Sequence, residues 1–146
     1  MRESFGGAFM IKLVLVFIVI YVSFMAVAIN YAKAFRVKNR LIDYVEQYQY
    51  KSGDNRTIGK IEDYLNSIAY HIPDENGSLR RACETDAKGI SNNENPYFIA
   101  NGACISPRCD GDVCYYRITT YISIDFPLFK IKMTLPISGE SKTLNY

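Results

Sequence analysis

Four cysteines, one histidine and a short run of aspartates are the residues of this chain whose types and spacing could do chemistry. Cys83, Cys104, Cys109 and Cys114 all lie in the last two-thirds of the sequence. An even number confined to one region suggests two disulfides and an oxidising compartment. Cys109 and Cys114 bracket an Asp-Gly turn and can meet at the base of a tight loop, which leaves Cys83 to pair with Cys104. Three connectivities exist, and proximity selects this one. The loop-entropy relation assigns the two bridges about 3 and about 2 kcal/mol, comparable to the whole stability of a small domain. The rival is a zinc site of the same four cysteines with His71, but their spacing lacks tight C-x2-C knuckles.

Other chemistry is sparse. Asp110-Gly111-Asp112 reads as a turn before a calcium loop, because further carboxylates at loop spacing are missing. No Gly-rich phosphate loop, G-x-S-x-G or H-E-x-x-H occurs. Any base-assisted nucleophile would depend on His71, at the end of an amphipathic helix, where a structural histidine is the plain expectation. Neither an enzyme nor a cofactor is expected. A net charge of +2 without a basic cluster argues against a nucleic-acid partner. Twelve Tyr and eight Phe suit a strand-rich domain with sticky surfaces.

The elements that must position these residues begin with Leu13–Ile29, which carries no charge, Pro or Gly. Twelve of its residues are Leu, Ile, Val or Phe. At roughly −0.3 to −0.6 kcal/mol each they favour insertion by about −4 to −7 kcal/mol, against at most roughly +3 for Lys12 at the edge. Lys12 can also snorkel to the headgroups. Membrane lipid is therefore an expected partner. Beyond the run, residues 30–50 keep helical spacing of apolar side chains with no Gly or Pro, so a single helix of roughly 65 Å is expected over residues 8–50, ended by Gly53. Lys33, Arg36, Lys38 and Arg40 outnumber Arg2 and Lys12, and by the positive-inside rule would hold the C-terminal part in the cytoplasm. The cysteines argue the other way and are given more weight. The basic stretch then reads as a solvated helix face near lipid phosphates.

The remaining residues, 51–146, fit a small α+β head. Ile58, Ile61, Leu65, Ile68 and Ile72 form one stripe of a second helix over Thr57–His71, stopped by Pro73. Short strands are expected near Leu79–Glu84 and Tyr97–Ile99, flanking a polar, turn-rich loop. Val113–Phe126 alternates with period two, and Phe129, Ile131, Met133 and Leu135 alternate with Lys130, Lys132 and Thr134. Pro136 is read as a break, with Lys142–Tyr146 as a last edge strand. An antiparallel sheet of three to five strands, one face on the helices, follows.

This layout resembles that of type IV pilin-like proteins, nearest to the Tad-type (TadE-like) pseudopilins. In that family a short leader ends in Gly and a prepilin-type peptidase cuts after it. Gly7 would be the last leader residue and Ala8 the first of the mature chain, followed by Phe9, Met10, Ile11 and Lys12. Lys12 then stands where the family usually carries Glu. The ending LPISGESKTL is also similar to the family's C-terminal strand and turn. The resemblance implies a leader or cytoplasmic tail at 1–7, a transmembrane helix and stalk at 8–50 and a disulfide-stapled extracytoplasmic head at 51–146. It implies a pilin-like fold and a structural subunit of a surface filament or its assembly or secretion machine. Its partners would be other pilin-like subunits, met through the N-terminal helix, and a membrane assembly platform. Lys12 would meet an acidic residue of a neighbouring subunit inside the bilayer, since an unpaired charge there is costly. The alternative is an uncleaved single-pass membrane protein whose ectodomain binds a partner or ligand.

Overall fold

A computed structural model describes residues 2–51, 53–86, 95–110, 113–126 and 131–143. One long helix, α1 (Arg2–Gln47, 46 residues), extends about 70 Å and carries everything else on its C-terminal half. Ala34, Val37, Lys38, Leu41 and Val45 are buried along it, at the three- and four-residue spacing of one helix face. Helix α1 stops before Gly53. Gln49 takes a left-handed conformation (φ 47°), and the Tyr50 N–H returns to the Val45 carbonyl (3.0 Å). That turn drives the Tyr50 ring edge-on against Tyr116, 5.0 Å between centroids, and burial of both tyrosines sets the end. Gly53, at φ 86°, serves the next turn instead.

Helix α2 (Asn55–Ser67) is capped by Asp54, whose carboxylate accepts from the Arg56 N–H and the Thr57 hydroxyl. Its stripe of Ile58, Ile61 and Leu65 is buried in the main core, with Ile68 and Ile72 packed against it. The helix ends earlier than the expected His71, and Pro73 is not its stop. Ala69 turns left-handed (φ 49°), which delivers Tyr70 into the interior.

The expected strand at Leu79–Glu84 is instead helix α3 (Ser78–Asp86), entered through a single 3-10 turn at Glu75–Gly77. Asp74 decides this: its carboxylate accepts from the backbone N–H groups of Leu79 (2.7 Å) and Arg80 (3.4 Å). Leu79 and Cys83, four apart, form the buried face.

The four strands form an antiparallel meander, β1 (Tyr97–Ile99), β2 (Ala103–Asp110), β3 (Val113–Phe126) and β4 (Ile131–Glu140), paired in that order. Tyr116, Ile118, Thr120, Ile122 and Ile124 of β3 are buried at the predicted parity. One sheet face lies on α1 and α2, while α3 covers part of the other through the Cys83–Cys104 bridge. Pro136 does not break β4. It pairs with Tyr121, whose N–H and carbonyl are turned toward the β2 side, so Pro136 directs its own backbone to the open edge and no ladder bond is lost. Pro107 in β2 escapes in the same way: its partner Tyr116 bonds toward the β4 side, and β1 ends opposite Ile105. Lys142 and Thr143 are not a strand, and the rest of that predicted edge lies outside the described residues. So do residues 87–94 of the expected loop and Gly111–Asp112 of the turn.

Candidate functional site

The chemistry-bearing residues fall in three places. The first is the join between α3 and β2, where Cys83 and Cys104 form a disulfide with Cα atoms 5.7 Å apart. That bond takes both sulfurs out of the alternative zinc arrangement. Cys114 is also disulfide-bonded. Cys109 stands opposite it in the β2–β3 register, although the Cys109 side chain lies outside the described residues. His71 is exposed beyond the end of α2 and not on a helix.

The second place is the outer sheet face. Asp86, at the end of α3, accepts from Arg108 (2.9 Å) and Arg117 (3.4 Å), and Arg117 in turn holds Glu140 (2.9 Å). This chain of charges fastens α3 to β2, β3 and β4. Glu140, ahead of Asp86, holds the Arg117 guanidinium more firmly protonated. Beside it runs an open groove of about 460 Å³, lined among others by Leu79, Asp86, Arg117, Tyr121 and Pro136. Sequence reasoning missed this groove. Its residues come from α3 and from the outer face of three strands, β2, β3 and β4, and only the fold brings them together.

At the margins of the sheet two side chains replace absent strands. Where β2 has ended, the Tyr70 hydroxyl donates to the Tyr121 carbonyl (2.6 Å) and accepts from the Tyr121 N–H (3.1 Å). Burial pushes the Tyr70 phenol up to about 12. Where β4 has ended, Ser141 serves Tyr116: its N–H donates to the Tyr116 carbonyl (2.9 Å) and its hydroxyl accepts from the Tyr116 N–H (3.0 Å). Both pairs keep buried strand backbone satisfied.

The third place is the N-terminal half of α1. Gly7 and Ala8 lie within the helix and are exposed, with open space around the Gly7 Cα. Lys12 is exposed too, without a hydrogen bond or ion pair among the described residues. Around and beyond it stand exposed apolar side chains from Phe9 to Ile29, including Phe17 (64% exposed) and Phe24 (71% exposed). This stretch is long and apolar enough to cross a membrane. The cations above it are not all solvated. Lys38 is buried over the Phe35 ring, its ammonium 4.3 Å from the centroid, and Lys33 donates to the Ala69 carbonyl at 3.5 Å. Lys38 therefore belongs to the seam with the head, while Lys33, Arg36 and Arg40 stay exposed.

No family model, curated protein or solved structure matches this chain.

Its function rests on geometry. A rod with a bare apolar half and a stapled head on the other half can hold to lipid or to other rods.

Proposed function

We propose that the chain is a pilin-like (pseudopilin) structural subunit, anchored by α1 in a cell membrane with its head on the extracytoplasmic side. The observation that carries this reading is the division of α1: an apolar half that the head leaves bare, continuous without a break with a half that forms the head's core. An exposed apolar surface of that length needs lipid or partner helices to cover it. The Cys83–Cys104 bridge supports the extracytoplasmic placing, because disulfides persist where thiols oxidise. Helix-against-helix assembly with similar subunits would surround Lys12, which then needs an acidic partner within the bilayer. A prepilin-type peptidase would cut between Gly7 and Ala8, and a membrane platform would feed the subunits into a filament or secretion machine.

Mass spectrometry of membrane-extracted protein tests this. Loss of residues 1–7 is the expected result, with in-membrane cross-links between α1 helices that Lys12→Glu or Lys12→Ala reduces about tenfold or more while the head's disulfide is kept. An intact Met1 with cross-linking indifferent to Lys12 rejects it. The groove beside Asp86 and Arg117 favours a second reading, an uncleaved single-pass protein whose head binds a partner or ligand there. That reading expects an intact N-terminus and no helix cross-links.

A further inference from the structure

The open end of the sheet meets α1 at a depth that the anchor sets. Ile122 and Ile124 of β3 pack with Ala34, and Val27 joins the same cluster. Val27 belongs to the uncharged run Leu13–Ile29. A hydrocarbon core of about 30 Å takes roughly 20 helical residues. With Lys12 at one boundary the other falls at about residue 32, and Val27 sits roughly 7 Å inside it. If the core ends at Ile29, Val27 is still about 3 Å inside. In a single chain, raising the helix further would draw Lys12 unpaired into the apolar layer, which its charge opposes.

What lies level with Val27 on the head is apolar and open. Met133 pairs with Ile124 and Leu135 with Ile122, so both share their depth and their sheet face. Helix α1 crosses β4 at Gly139, against Lys38 and Ile42, and leaves Met133 and Leu135 uncovered, 46% and 42% exposed. Tyr31 and Phe35, also exposed, stand on α1 just above Ile29, where aromatic rings favour the headgroup layer.

We infer that the Met133–Leu135 end of β4 is a lipid-contacting surface, by which the head rests in the headgroup and upper acyl layer of the membrane. The occupant is lipid because lipid surrounds the anchor at that depth. The inference rests on α1 spanning the bilayer, and the test separates the two. The chain has no Trp, so one introduced Trp reports one place. Full-length Val19→Trp, Met133→Trp, Leu135→Trp and Val113→Trp proteins are placed in phosphatidylcholine–phosphatidylglycerol vesicles with brominated acyl chains. Intactness of the disulfides verifies each head. Val19→Trp reads the middle of the anchor, and Val113→Trp reads the far end of β3. Quenching of Met133→Trp and Leu135→Trp at least about twofold above Val113→Trp is expected. If only Val19→Trp is quenched, the lipid surface is overturned and the anchor stands. If Val19→Trp is not quenched, the anchor itself fails. Blue-shifted but unquenched emission from Met133→Trp, varying with the protein-to-lipid ratio, would assign the surface to a second copy of the chain and overturn the inference.

Discussion

The Tyr70 hydroxyl does at one point what a neighbouring strand does along a ladder. Removing it in Tyr70→Phe leaves the buried Tyr121 N–H and carbonyl without partners, and a loss of about 1–3 kcal/mol is expected in denaturant titration of the micelle-bound protein. The same phenol makes stability sensitive to alkali. Its folded-state value is raised to about 12 from an ordinary 10.0, so the stabilisation is fully present below pH 10 and is lost as pH rises toward 12. A wild-type protein that softens across that window, with Tyr70→Phe softening less, is the expected result. Asp54 acts with the opposite sign. The Thr57 hydroxyl, with the Arg56 and Thr57 backbone N–H groups, holds its carboxyl below the usual range, so the α2 cap is lost only as pH falls through that lowered value.

Two elements owe their place to covalent or cyclic constraints. Helix α3 has nine residues, too few to persist alone, and the Cys83–Cys104 bond ties it to β2. With a sequence separation of 21, that bond contributes about 3 kcal/mol by loop entropy. Cys83→Ser with Cys104→Ser should lower the unfolding free energy by that amount and speed amide exchange in α3 most. Strand β4 is the longer open edge of the sheet, and Pro136 stands in it with no N–H to offer a stranger. Pro136→Val should change stability by less than about 1 kcal/mol, since the ladder loses nothing. It should raise the aggregation rate measured by light scattering, because the edge becomes complete.

The whole molecule depends on a seam in which a membrane-length helix doubles as the core of a water-facing domain. Ala34 lies at the middle of that seam, buried, with its carbonyl 3.4 Å from the Thr120 hydroxyl and its side chain against Ile122 and Ile124. Ala34→Leu overfills it, and a cost of about 1–3 kcal/mol is expected, seen as a lower midpoint of head unfolding and faster proteolysis around Gly53. Insertion of α1 should be unchanged, because Ala34 lies beyond the uncharged run Leu13–Ile29 that drives it.

Sequence alone determined the features that a single periodic run can carry. Those are the apolar rod of α1, the buried stripe of α2, strand β1, the parity of β3 and the first half of β4, where Ile131, Met133 and Leu135 alternate with Lys132 and Thr134. Each is set by side chains within one stretch, packed on one face, so their spacing is visible before folding. Only tertiary structure decided the rest. Strand β2 hid because Ala103, Cys104, Ile105 and Ser106 are all buried, covered on both faces, and so show no alternation. Helix α3 hid because Asp74 caps it across the preceding turn. The ends of α1 and α2 fell short of Gly53 and Pro73 because Tyr50 and Tyr70 find partners on β3, some fifty to seventy residues away in the chain. Pro136 was misread for the same reason: whether a proline breaks a strand depends on which side has a neighbour, and the neighbour is chosen by the fold.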